Sequence, residues 1–442
     1  MKTLIKNGLV LMDEDKKFKL KKLDIVVDGD HISKICECGE EGEQDFDKEI
    51  NAEGKLVMPG LINAHTHAYM TLFRNYADDQ EFFDWLNNVQ SVEDFMTEED
   101  LYWGTLLAII EMLKTGTTCF VDMNIRNAKN GKATGPEGCV GAAVADSGIR
   151  AYLSRGFVGE VEDEYTKVLM NGFTSEMEIH KENPKVNYLM GPHAPYSCMA
   201  SNLKMIVDFC KEKGLMQTIH LSESDAEIQN MAKDHDGHTP ISYVDSLGVF
   251  DVPTIAAHCV KATDDDIKIL KEKNVSVAIN PKSNMKLGNG FAPADKFLEA
   301  GVNVCLGTDG AGSNNSLNMF QEMNTAALVY KGKEQKAKCV DAEDVIRFAT
   351  ENGAKALGLE GKLGIIKEGA LADLIIIDLY RPQFFPSCNI ISGLVYSATG
   401  SEVETVMVGG EILMENGRIL TIDVDEVYEQ CERIADRLNM LS

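Results

Sequence analysis

From residue 58 onward the chain repeats one pattern: a short apolar run, then a longer stretch at helical spacing, then another apolar run. The apolar runs fall at 58–64, 117–122, 149–154, 186–192, 215–220, 254–258, 275–279 and 303–308, eight in all, with helical periods such as 101–114, 203–213 and 264–273 between them. Strands that alternate with helices pair in parallel, because each connection has to cross back over the sheet. Eight such units over about 270 residues is the size of a (β/α)8 barrel of the TIM type. The first connection, from His67 to Thr117, is much longer than the others. Long loops at the carboxyl ends of barrel strands tend to be functional, so this one is read as a substrate cover.

The flanks read differently. Thr3-Leu4-Ile5, Gly8 to Met12 and Asp24 to Asp30 are short alternating β segments, with Asp28-Gly29-Asp30 as a hairpin turn and an acidic loop from Gly39 to Asp47. Short β segments return at 369–378 and 406–411, and 424–441 has the spacing of a closing amphipathic helix. The expected organisation is α/β: a barrel over 58–355, inserted into a small β-sandwich domain built from 1–57 and 356–442.

The active site of such a barrel opens at the carboxyl ends of its strands. The first strand ends in His65-Thr66-His67, whose i and i+2 side chains point to one face and can converge on a metal such as zinc. Later strands end at His193, at His220 with Glu223 three residues on, at His258, and at Asp309 within Gly307-Thr308-Asp309-Gly310. Each motif alone says little. Together they place five of the nine histidines at strand ends, which packing needs alone would not arrange.

Charge narrows the partners. A formal net charge of −27 repels nucleic acid and anionic membrane surfaces. No uncharged apolar run is long enough to span a bilayer, and the first residues lack a signal-peptide core. Cysteines such as Cys119, Cys210 and Cys305 sit singly in apolar runs, as reduced thiols of a cytoplasmic protein do.

Over nearly its full length the chain resembles the amidohydrolase superfamily. The segments HTHAYMTLFRN, GPHAPYSC, HLSE, AHCV, NPKSNMKLGNG and GTDGAGSNNSLNMFQEMNTA are similar to those of the 5-methylthioadenosine/S-adenosylhomocysteine deaminases and the wider adenosine-type deaminase and chlorohydrolase group. The resemblance implies one divalent metal, Zn or sometimes Fe, held by His65, His67, His220 and Asp309. Two-metal relatives place a bridging lysine at the end of strand four. That strand here ends at His193 with its only lysine, Lys185, at the start, so a mononuclear site is expected.

In the reaction so implied, water adds at C6 of an adenine ring, N1 is protonated and ammonia leaves. Glu223 would shuttle the protons, His258 would orient the attacking oxygen and stabilise the oxyanion, and Asp309 would accept a proton while remaining a ligand. For the substrate, the resemblance points to Glu93 on the ribose hydroxyls, with Asp94 as the alternative. Arg155 and His193 would lie at the 5′ substituent, and Ser313 would line the same pocket. Many relatives form dimers or tetramers, which implies a homo-oligomer. Two other readings stand beside this one: deamination or dechlorination of guanine, a pterin or a triazine at the same metal site, and a catalytically dead scaffold.

Overall fold

The computed structural model of the chain describes residues 1–42, 45–80, 82–93, 95–124 and 139–440. Asp94 lies outside the described residues.

The first five strands are β1 (Lys2–Glu14), β2 (Lys17–Asp28), β3 (His31–Glu37), β4 (Lys48–Asn51) and β5 (Lys55–Pro59). Eight barrel positions follow as β6 (Leu61–Thr66), β7 (Thr117–Asn124), β8 (Arg150–Phe157), β9 (Val186–Tyr188), β10 (Gly191–Pro192), β11 (Gln217–Leu221), β12 (Thr254–His258), β13 (Ser276–Ile279) and β14 (Asn303–Leu306). The fourth position is shared by β9 and β10, which interrupt one apolar run at Leu189-Met190. The chain ends with β15 (Leu374–Asp378), β16 (Val403–Val408), β17 (Glu411–Glu415), β18 (Arg418–Ile419) and a helix over Val424–Arg437.

Parallel ladders join β6, β7, β8 and β10 in one sheet, with β9 beside β8, and β11 to β14 in a second. The two sheets meet on both sides. Met190 bridges to Gln217, and the Asp309 N–H donates to the His65 carbonyl at 3.0 Å. The strand order is therefore that of the expected α/β architecture, with the continuous ladder divided in two.

Helices follow the strands because the loops end in capping residues. Thr97 and Thr263 each form a capping box at the start of the helices Glu98–Lys114 and Asp264–Glu272, and Ser224 caps Asp225–Asp234. Their apolar faces bury against the strands in one large cluster that includes Leu106, Ile109, Phe120, Phe157, Ile219 and Phe320.

Both chain ends build one nine-stranded sheet in the order β18-β17-β16-β15-β5-β1-β2-β3, with β4 beside β1. Its two flanks are drawn together through residues 370–372, where Ile32 N–H donates to Ala370 (2.8 Å) and Gly410 N–H to Ala372 (3.1 Å). Residues of both flanks, among them Ile25, Val27, Ile376 and Met407, share one apolar cluster. The composite β unit is thus one hydrogen-bonded sheet whose two flanks close on each other. The strand β1 runs longer than its sequence suggests. Lys6-Asn7-Gly8 reads as a turn in sequence, but it is a bulge with Asn7 at φ 61°, and the strand continues for 13 residues. The run at 58–64 is likewise divided: Pro59-Gly60 ends β5, and β6 starts at Leu61.

Candidate active site

His65 lies near the end of β6 and His67 just beyond it, His220 is the penultimate residue of β11, and His258 ends β12; Asp309 follows β14. All five are buried. The His65 ring stands 5.1 Å from that of His67, 4.8 Å from His220 and 5.3 Å from His258. Asp309 reaches them because the turn after β14 presses against the end of β6. A Cβ on Gly307 would lie 2.8 Å from both the His65 Cβ and its carbonyl oxygen, so only glycine fits there, and one on Gly310 would lie a tight 3.1 Å from the His67 Cβ. His258 (φ 71°) and Asp309 (φ 60°) both hold left-handed backbone conformations, a strain that clusters at functional sites.

The donor atoms are oriented by their surroundings. His67 Nδ1 meets the Met123 carbonyl at 2.5 Å and His220 Nδ1 meets the His193 carbonyl at 2.7 Å. Each ring therefore carries its proton on Nδ1 and turns the Nε2 lone pair inward. Asp309 Oδ2 accepts from Ser283 (2.6 Å) and Ser313 (2.9 Å), while Oδ1 lies 3.3 Å from His67 Nε2 and 3.6 Å from His65 Nε2. Both ring nitrogens of His65 are buried without a hydrogen-bond partner among the described residues. Burial, with the neighbouring imidazoles, pushes His67 down to about 4 and His220 well below the usual histidine range. Neutral imidazoles with inward lone pairs, an orphaned histidine and a carboxylate fit a divalent cation. Two donor groups satisfy the distances for one: His65, His67 and Asp309, and His65, His220 and His258.

Glu223 lies beyond the end of β11 with its Oε1 accepting from Asn289 at 3.0 Å and 3.7 Å from His258 Nδ1. Burial, then the charges of Asp309 and Glu227, raise its carboxyl well above the ordinary range. Glu227 clamps the turn beneath it by accepting the N–H groups of Ser222 (3.1 Å) and Glu223 (2.6 Å).

The expected substrate contacts separate into three kinds. His193 is at the cluster, its ring 4.9 Å from His220 and its Nδ1 2.6 Å from Ser197 Oγ. Ser313 is brought in as well, but its hydroxyl bonds Asp309. Glu93 ends the helix Phe82–Glu93, is 2% exposed and accepts from Tyr69 Oη at 2.5 Å. That helix is fastened over the site, since Trp85 Nε1 donates to the Gly312 carbonyl at 3.1 Å. Arg155 is placed apart. Its guanidinium is held by buried Glu176 at 2.8 and 3.2 Å, between β8 and the helix Glu164–His180. Sequence reasoning missed Ser283, Asn284, Asn289 and Glu227. The first three lie within NPKSNMKLGNG, the one signal that pointed to them.

The described cysteines are free thiols, and no helix among the described residues is long and apolar enough to cross a membrane. A family model described as the amidohydrolase family matches residues 56–413. The 5-methylthioadenosine/S-adenosylhomocysteine deaminase of Thermoanaerobacter pseudethanolicus is 42% identical over 441 residues, 99% of each chain. The 5′-deoxyadenosine deaminase of Methanocaldococcus jannaschii is 42% identical over 431 residues, covering 95% of this chain and 97% of its own. Among solved structures, an adenosine deaminase from Xanthomonas campestris with bound zinc superposes with a TM-score of 0.92 at 28% identity, over 99% of both chains.

Proposed function

The chain belongs to the amidohydrolase family, and we propose that it is a hydrolytic deaminase of adenine nucleosides such as 5′-methylthioadenosine, S-adenosylhomocysteine, 5′-deoxyadenosine or adenosine. The observation that carries the reading is the convergence of the inward-facing His65, His67, His220 and Asp309 donors, with the buried Glu223 carboxyl held by Asn289 beside His258. His65, His67, His220 and Asp309 would hold one divalent ion, zinc or iron, whose chemistry there is Lewis-acid activation of water.

The chain's own groups divide the remaining work. Glu223 is poised to give its proton to ring nitrogen N1, because a carboxyl kept neutral by burial is a general acid at neutral pH. Oδ1 of Asp309, left without a hydroxyl donor by the two serines, can accept a proton from the attacking water. His258 donates to the oxygen added at C6 as it takes on charge. Transfer of one proton to the exocyclic NH2 releases ammonia and leaves the inosine-type product with its N1 proton in place. Glu93, buried under the cover, is assigned to the ribose hydroxyls and His193 to the 5′ side. Arg155 would meet a carboxylated 5′ tail only if that tail displaced Glu176 from its guanidinium.

We place the enzyme in the cytoplasm, in keeping with buried free thiols at Cys119, Cys210 and Cys305, and as a homo-oligomer, dimer or tetramer. The partner is the small nucleoside, with no nucleic acid or membrane.

A panel of adenine nucleosides and of free guanine, pterin and triazine, assayed for ammonia release by metal-loaded protein, tests the reading. Turnover of the adenine nucleosides is expected. Turnover of the free heterocycles alone would replace it with the second activity, and no turnover by protein holding stoichiometric metal would leave a non-catalytic scaffold.

A further inference from the structure

His258 belongs to one of the two groups of metal-capable donors, with His65 and His220, so its role turns on which ring nitrogen carries a proton. The segment after β13 decides this. Asn280 and Asn284 stand at either end of one helical turn, with Asn284 N–H donating to the Asn280 carbonyl at 3.0 Å. Both aim their amide nitrogens at His258 Nδ1, at 3.2 and 2.9 Å respectively. An amide N–H can only donate, so Nδ1 has to accept and the proton of the neutral ring sits on Nε2. The direction of the Asn280 amide is set independently, because the same nitrogen lies 3.4 Å from the Ala278 carbonyl, a place that only a donor satisfies.

Among the described residues, the carboxyl that approaches Nδ1 and could draw a proton back onto it is that of Glu223. Its Oε1 is 3.7 Å away, beyond hydrogen-bond reach, and is occupied by Asn289. The same segment supplies Ser283 to Asp309. Residues 280–289 therefore touch all three proton-handling groups from one side.

We propose that Asn280 and Asn284 are positioning residues that lock His258 as its Nε2–H tautomer, making it a hydrogen-bond donor to the oxygen added at C6 and not a metal ligand. The Nδ1 lone pair is taken by two amides and Nε2 carries hydrogen, so the ring has no lone pair left for a cation. Of the two donor groups, the ligand set then contains Asp309 and excludes His258. The catalytic half of this inference rests on the deaminase reading, whereas the tautomer does not.

Nitrogen NMR of zinc-loaded protein carrying 15N-histidine, with His258 assigned by difference from His258→Gln, tests it. The expected spectrum has a protonated Nε2 and an unprotonated Nδ1. Asn284→Asp keeps the shape but turns the donor into an acceptor. It should move the proton to Nδ1 and lower kcat by about 10²–10³-fold, the cost of a lost oxyanion donor. KM should stay within about threefold and zinc content should not change. Asn284→Ala, which leaves the Asn280 donor in place, should keep the tautomer and lose less. A proton on Nδ1 in the unmodified protein overturns the proposal, and that spectrum needs no variant to fold. So does an Asn284→Asp protein whose tautomer moves while kcat does not. If no adenine nucleoside is turned over, the deaminase reading falls and the spectrum still decides the tautomer.

Discussion

The Nε2 atoms of His67 and His220 face each other 3.2 Å apart, from strands separated by 153 residues of chain. Each is turned there by its own Nδ1 bond to a backbone carbonyl, so the fold aims two lone pairs at one point. A cation relieves that arrangement by accepting both lone pairs. A ligand that binds the folded chain alone stabilises it, by about 2.7 kcal/mol at a hundred times its Kd. Thermal unfolding of chelated protein should therefore shift upward on adding zinc, and the shift should vanish in His220→Ala. No zinc-dependent shift would contradict a cation site at this pair.

Glu322, which accepts from Asn314 at 2.6 Å, gives a pH signature of its own. Burial raises its carboxyl to about 7 from an ordinary 4.5, against the lowering effect of Lys282 and Asn314. Between those values the folded chain binds a proton that the unfolded chain has lost. The contribution to stability is then full below about 4.5 and is lost as pH rises through 7. Relative to Glu322→Gln, the unmodified protein should lose up to roughly 3 kcal/mol between pH 4.5 and 8 in urea unfolding. A difference that is flat with pH would contradict the assignment.

How much of this was legible in sequence depends on how local the cause is. The alternation of strands and helices is written in periodicity, and so were the strand ends that carry His65, His67, His220, His258 and Asp309. The bulge at Asn7 was not, because Asn-Gly signals a turn and only pairing along β2 keeps the strand running. Nor was the Arg155–Glu176 pair, since nothing in a helix 21 residues later says which carboxylate will turn inward. Asn280 and Asn284 look like any polar residues at a strand end until the fold sets His258 against them. Ser313 was legible as a residue near the site, but its bond to Asp309 was not, because that contact depends on the turn after β14.

Arg150 joins the barrel to the β sheet. Its guanidinium meets both oxygens of buried Asp373 at 2.8 and 3.0 Å, and Asp373 Oδ1 also accepts the Gly409 N–H at 2.7 Å. Removing one member of a buried pair leaves an uncompensated charge, so Arg150→Ala should cost about 3–5 kcal/mol. Replacing both members with apolar residues should cost much less. Equal losses in the single and double variants would show that packing, and not charge, is what the pair supplies.

Glu93 separates nucleosides from free bases. A hydrogen bond to a charged group contributes about 1.5–3 kcal/mol, so Glu93→Ala should lower kcat/KM for nucleosides by about 10–100-fold. Any turnover of a free base should be untouched. An equal loss for both classes would move Glu93 from the ribose to the structure of the cover.

The most direct test of the deaminase account follows one atom. Metal-loaded protein is incubated with 5′-deoxyadenosine or 5′-methylthioadenosine in 18O-labelled water, and the product is read by mass spectrometry beside an ammonia assay. The account predicts one labelled oxygen at C6 of the hypoxanthine ring, one ammonia for each nucleoside consumed, and an intact ribose bond. Release of free adenine, or an unchanged nucleoside in the presence of protein that holds its metal, would contradict it.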